Sequence, residues 1–285
     1  MPTPNLPHRL DLQRSAWRNK LVRAVEQGVA NALNGRLQEL QRESEAQAAR
    51  RHQELLDAMR AWERRQRRDV FTALDQEAAR SSAKLLRSEL QGASLHGHPH
   101  ATLRHALEHA PEDGLALEFG VATGTTLRII ARDGQHSVFG FDSFDGLPER
   151  WRLGFETGTF ATDALPDVPG AELVVGLFAE TLPAFLAEHA GPVSFLHVDC
   201  DLYASTRTVL ELVGPRLVEG TVIAFDEYYN FPGWQDHEYR AWAEYVEQTD
   251  LRFEYLGLTM DDEQVSVRVT RPPVVAERSQ RPVGA

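Results

Sequence analysis

Cysteine is almost absent from this 285-residue chain. The one present, Cys200, excludes an internal disulfide and any multi-cysteine metal site. Flanked by two aspartates on an apolar run, it reads as a small packing residue before it reads as a nucleophile. No apolar run approaches the roughly 20 residues of a membrane span. The first residues, MPTPNLPHRLDLQRSAW, lack the apolar centre of a signal peptide, so a cytoplasmic protein is expected. Proline is missing from Arg14 to Gln91, and glycine in that stretch is confined to Gly28 and Gly35. Positive charge is scarce beyond residue 95, where 13 Lys+Arg face 30 Asp+Glu, net −17; residues 1–95 carry 17 against 12, net +5. A region at −17 binds polyanions poorly, and no nucleic-acid partner is expected. What is present, 42% hydrophobic and 25% charged residues, is ordinary globular composition.

Three regions follow. Residues 1–95 are rich in Ala, Leu, Gln, Glu and Arg, which is helix-forming composition. Apolar residues fall at Val22, Val25, Val29, Leu33, Leu37 and Leu40 and again at Leu55, Met59, Trp62, Val70 and Leu74, near the alternating three and four spacing of helix seams. Ser44 to His52 is almost wholly polar, which argues against one continuous coiled coil; two or three helices stand beside a single rod as readings. The region is expected to serve oligomerisation or to cover a substrate, making a homo-oligomer. The arginines Arg60, Arg64, Arg65, Arg67 and Arg68 are interleaved with acids and read as a solvated face. Gly92 to Pro99, with His96 and His98 and followed by His100, reads as a polar linker and not a metal site.

Residues 96–272 alternate helix and strand. Strands are expected at Leu115–Phe119, Ser137–Asp142, Glu172–Val175, Val193–Asp199 and Thr221–Phe225, with two final strands, 253–258 and 264–269, close enough to pair antiparallel. Helices between them imply right-handed crossovers and a doubly wound, mostly parallel α/β sheet. The loop Ser143 to Pro169, with Trp151, Phe155 and Phe160, is long enough to read as a lid. Residues 273–285 are expected to form a flexible tail.

The chemistry-bearing residues sit at strand ends. FLHVDCDLY (195–203) delivers Asp199 and Asp201 to the carboxyl edge of the sheet, where open α/β sheets bind ligands, and the next strand ends in Asp226 and Glu227. Four converging acids require a shared cation, a proton or a cationic substrate. The first strand runs into Glu118-Phe119-Gly120-Val121-Ala122-Thr123-Gly124, a spacing of neither the dinucleotide nor the Walker type, so no phosphate ligand is advertised. Asp142 ends the second strand, the place of a ribose-binding carboxylate. A glycine turn and ribose acid without phosphate chemistry point to S-adenosylmethionine. His197 lies on the same strand face as Asp199 but deeper, and reads as a core histidine. His237, beyond Tyr228, Tyr229, Phe231 and Trp234, is a rival proton acceptor to Asp201, ranked second; those aromatics could stack on a sugar or pack beneath a loop.

The stretches LEFGVATGTTLRII, VFGFDSFDGLPERW, GLFAETLPAFL, VSFLHVDCDLYASTRTVLELVGPRL and GTVIAFDEYYNFPGW resemble the macrocin-type O-methyltransferases, class I S-adenosylmethionine-dependent enzymes of antibiotic and sugar tailoring, over about residues 100 to 270. The resemblance implies a Rossmann-like class I methyltransferase sheet. It implies that Glu118, Gly120, Gly124, Asp142, Ser143, Gly176 and Phe178 bind the cofactor, that Asp199, Asp226 and Glu227 hold a magnesium (or manganese) ion, and that Asp201 is the general base. The chain departs from the commoner Asp-Asp pair by carrying Glu227 after Asp226. If Glu227 does not reach the ion, Asp201 would be needed as its ligand, and His237 would then take the proton. The expected activity is metal-dependent methyl transfer to a hydroxyl of a small-molecule or saccharide acceptor, a sugar or glycosylated natural product. The competing reading is a non-catalytic methyltransferase-like scaffold whose helical region mediates oligomerisation or partner binding.

Overall fold

The structure, a computed structural model, describes residues 7–133 and 137–274, with side chains from residue 17 onward. The expected tail therefore lies outside the described residues beyond Val274. Contacts divide the chain into two units, Met1–Asp69 and Val70–Ala285. The first consists, among the described residues, of one helix, α1 (Pro7–Arg68). The polar stretch 44–52 does not break it, because its Ala, Gln, Glu and Arg are all good helix formers. Exposed pairs one turn apart, Arg36–Glu39 at 2.5 Å and Arg60–Asp57 at 3.3 Å, run along its surface.

The second unit opens with α2 (Val70–Ser88), which buries Ala78, Ser82 and Leu85. By its contacts α2 goes with the sheet, so the division between units falls earlier than the composition change near residue 95. Ser81 Oγ accepts from Trp234 Nε1 at 2.9 Å and Ser82 Oγ from the Asn230 amide at 2.9 Å. The stretch expected as a linker contains a strand, β1 (Ser94–His96), and the start of α3 (Pro99–His109). His98 caps that helix, its Nδ1 accepting from the His100 amide at 3.1 Å. Part of the histidine-rich signal is thus helix-start chemistry, with proline at the first helical position.

The remaining elements are β2 (Leu115–Phe119), α4 (Thr125–Asp133), β3 (Ser137–Asp142), β4 (Ala171–Val175), α5 (Phe178–Glu188), β5 (Val193–Val198), α6 (Tyr203–Val213), β6 (Leu217–Phe225), α7 (Glu238–Thr249), β7 (Arg252–Thr259) and β8 (Val265–Arg271). They form an eight-stranded sheet in the order β1-β7-β8-β6-β5-β2-β3-β4. Every pair is parallel except those of β8, which runs antiparallel to β6 and β7. This is the Rossmann-like class I arrangement. β2 and β5 are buried at every residue, as central parallel strands covered on both faces must be. On one face Leu103, Ala106 and Leu107 of α3 and Leu127 and Ile130 of α4 pack with Ala116 and Phe195. On the other, Leu182, Val209, Trp242 and Leu85 pack with Leu117, Phe119 and Leu196.

Candidate active site

The carboxyl ends of β2, β5 and β6 meet through the backbone: the Asp199 amide donates to Phe119 O at 2.9 Å and the Asp226 amide to Val198 O at 2.8 Å. Gly120 follows at φ 95°, where a Cβ would lie 1.7 Å from the Asp199 carbonyl oxygen, so only glycine fits between the strand ends. A Cβ on Gly124 would come within 2.8 Å of Val168. Both glycines thus have packing reasons independent of any ligand. After Asp199 the chain turns sharply, with Asp201 in the left-handed region at φ 60°.

These strand ends floor a cavity of about 480 Å³. Of the cofactor residues expected from sequence, Gly120, Asp142, Ser143, Gly176 and Phe178 line it. Asp142 is tied to the glycine turn: its carboxylate accepts from the Val121, Ala122 and Phe144 amides, each at 2.8 Å. Glu118 and Gly124 are not among the lining residues. Glu118 is fully buried and accepts from His197 Nδ1 at 2.8 Å; the two are direct partners across β2 and β5. The other ring nitrogen of His197 lies 3.7 Å from Asp226. Burial opposes charge on this imidazole, but the adjacent carboxyl groups of Asp226 and Glu118 raise its pKa well above the usual value. The core histidine expected from sequence is therefore a buried imidazole between the carboxyl groups of Glu118 and Asp226, linking the end of β2 to the acid cluster.

Asp199, Asp226 and Glu227 each present an oxygen within 4.8 Å of the others. Asp199 and Glu227 line the cavity together with Asp201. Burial, then the neighbouring Asp226, pushes the Asp199 carboxyl well above its ordinary range, and burial followed by Asp201 does the same to Glu227. Asp201 is pushed up to about 7 by burial, with Arg152 pulling the other way. Asp226 alone is lowered: burial opposes its charge, but bonds from His197 and Gln264 outweigh that. Two acids not singled out from sequence complete the surroundings. Glu238, fully buried at the start of α7, accepts from the Glu227 amide at 3.1 Å. Glu263 forms a two-pronged pair with Arg152 at 2.9 and 3.1 Å. Neither lies in a strand-end motif, and only the folded loops bring them here.

The long loop contributes Leu147, Pro148 and Phe160 to the cavity. Arg152 anchors the loop, its guanidinium 3.9 Å from the Trp151 ring centre and 4.7 Å from that of Phe231. His237 is not a lining residue; it packs against Phe231 and Trp151, with Nδ1 buried and unpartnered, and burial lowers its pKa. Tyr228, Tyr229, Phe231 and Trp234 are buried and outside the lining, which favours packing beneath the loop over stacking on a ligand. The first turns of α6 supply lining that sequence reading missed, Ala204, Ser205 and Thr208.

No curated protein matches the chain. Among solved structures it is similar to the calicheamicin methyltransferase CalS11, at 25% identity over 68% of this chain and 91% of that one, TM-score 0.47. It is also similar to the O-methyltransferase NovP, at 24% identity over 60% of this chain and 79% of that one, TM-score 0.46. A third similar structure is an O-methyltransferase from Bacillus cereus in complex with SAH, at 14% identity over 74% and 96%, TM-score 0.40. Residues 117–228, which run from β2 through the acid pair after β6, match a family described as a methyltransferase domain. The segment of the second unit that holds the strand ends and the acid cluster is thus the one similar to a methyltransferase domain.

Proposed function

We propose that the chain is an S-adenosylmethionine-dependent O-methyltransferase that uses a divalent ion to methylate a hydroxyl of a sugar or glycosylated natural product. The observation that carries the reading is the convergence of Asp199, Asp226 and Glu227 on one point beside a cavity that also takes in Gly120, Asp142, Ser143, Gly176 and Phe178. The acid cluster fits an ion. Its donors are all oxygens, the set preferred by magnesium or manganese. Glu227 Oε2 is buried without a hydrogen-bond partner, and burial, reinforced by the neighbouring carboxylates, holds two of the three carboxyl groups above their ordinary range, which a cation would reverse.

Asp199, Asp226 and Glu227 would hold the ion, which supplies acidification and orientation of a coordinated hydroxyl. The glycine turn and the segment Gly176–Phe178 would orient the sulfonium donor for in-line displacement. Asp201 takes the acceptor proton, a contribution of roughly 10²- to 10⁴-fold in rate. Its choice over His237 rests on its place in the cavity lining and on a pKa near 7, in the range suited to a base. The acceptor class comes from the resemblance read in the sequence.

Mass spectrometry of turnover with S-adenosylmethionine and a panel of hydroxylated acceptors, with and without chelator, tests the reading. Methylation abolished by chelator and restored by magnesium is expected; turnover indifferent to metal removal would remove the ion from the scheme. Asp201→Asn is expected to lower turnover at least 100-fold while cofactor affinity by calorimetry changes little. Lost cofactor affinity would mean that Asp201 belongs to the cofactor site.

A further inference from the structure

Eight of the large apolar residues of α1 repeat at a period of eleven. Val22, Leu33 and Leu55 fall in one column, with Ser44 filling the gap; Val29, Leu40 and Trp62 fall in a second, with Arg51 in the gap; Leu37 and Met59 fall in a third, with Ala48 between them. Eleven residues make three turns at 3.67 residues per turn, so these columns form one narrow stripe nearly parallel to the helix axis. From Val22 to Trp62 the stripe is about 60 Å long. All eight apolar side chains in it are between 48% and 65% exposed. Together they offer roughly 800 Å² per helix, the per-partner size of a standard specific interface.

A straight apolar stripe of that length fits only a partner equally long and equally straight. Among the other described helices the longest, α2, has 19 residues, less than half the length of the stripe, and buries Ala78 and Leu85; the rest have 9 to 12. Among the described residues of the first unit α1 is the one element, so no second element of that unit packs on it, although helices in water depend on packing for most of their stability. The helix with matching length and matching period is α1 itself. Two orientations are open to a self-pair. Antiparallel pairing about the stripe's midpoint sets Leu33, Leu37 and Leu40 against the polar turn of Ser44, Gln47 and Arg51. Parallel, in-register pairing sets each apolar layer against itself and confines the polar layers to one another. We propose that α1 joins copies of this chain through a parallel, in-register helix pairing of right-handed or near-straight type, using the eleven-residue stripe.

This pairing does not depend on what the second unit catalyses. Light scattering of the full chain should give a whole multiple, at least two, of 32.0 kDa. The triple variant Leu33→Glu/Leu37→Glu/Leu40→Glu should give one chain mass while the main thermal transition stays in place. A single-chain mass for the unaltered protein, or an undiminished mass for the variant, would overturn the proposal. Orientation is read by Leu33→Cys and Leu55→Cys, each oxidised separately in the full chain; Cys200 is buried and gives little background. Each should form a covalent dimer, since like residues face each other. Antiparallel pairing would leave the two thiols of the Leu33→Cys variant roughly 27 Å apart along the axis, and an associated protein in which neither variant cross-links would overturn the parallel register.

Discussion

At Gly120 the carbonyl oxygen of Asp199 occupies the space in which any other residue would put its Cβ. Gly120→Ala is expected to destabilise the second unit by roughly 2–4 kcal/mol, from a clash with backbone and a strained positive φ, measured by denaturant unfolding with Gly154→Ala, which has open space, as the control. Sequence reading gave this glycine to the cofactor turn; the observed strand ends add a packing requirement of their own. His197 shows the converse. Its alternation marked it as buried, but a strand pattern carries no information about Glu118 and Asp226 on the neighbouring strands. The acids make a pH prediction whose sign follows from their direction of shift. Asp201 sits at about 7 against an ordinary 3.8, so the stability held by its protonated form is complete below about pH 4 and is lost as pH rises through 7. Asp199 and Glu227 are shifted the same way, while the lowered Asp226 acts in the opposite direction only at acid pH. Chelator-treated protein should therefore lose roughly 5 °C in Tm between pH 5 and pH 8, and magnesium should recover it. A flat profile that ignores magnesium would count against the cluster as an ion site.

At the scale of elements, the strands were legible because their signals are local. β2 and β5 are unbroken apolar runs, and both are buried throughout. β1 was not legible: three residues between glycines, of which only Leu95 is strongly apolar, become a strand because the edge of β7 offers them a parallel ladder. α5 begins at Phe178 and contains Pro183. The long loop is held by one side chain above all. Arg152, about one-fifth exposed, stacks on Trp151 and Phe231 and pairs with Glu263. Arg152→Ala is expected to raise the acceptor KM roughly tenfold, the equivalent of about 1.4 kcal/mol, by loosening the segment that brings Pro148 and Phe160 to the cavity. Removal of the guanidinium also removes the charge that holds Asp201 down, so the pH at which activity rises should move upward. Steady-state rates across pH check both; a KM and a profile that stay in place would mean that the loop is held without Arg152.

At the scale of the whole molecule, the division between units at Asp69 and Val70 makes α2 part of the unit that holds the sheet. A chain beginning at Val70 should unfold in one cooperative transition close to that of the second unit in the full chain. A chain beginning at residue 96 should be weaker by about 4 kcal/mol, because it loses the burial of Ala78, Leu85 and Leu90 and the acceptors for Trp234 and Asn230. Equal stability of the two shortened chains would return the boundary to the composition change near residue 95. By itself, the order of residues determined the alternation of helix and strand, the doubly wound parallel sheet with its antiparallel end, and the delivery of Asp199, Asp201, Asp226 and Glu227 to one edge. Those properties depend on apolar periodicity and on which residues end a strand, both of which are written along the chain. Tertiary structure alone decided that Glu118 is bonded to His197, that Glu238, Glu263 and Arg152 surround the acids, that Asp142 braces the glycine turn, and that α2 packs on the sheet. Each of these depends on residues far apart in sequence meeting in a buried, low-dielectric space, where a polar group must find a partner and where a neighbour's charge or a missing Cβ decides what fits.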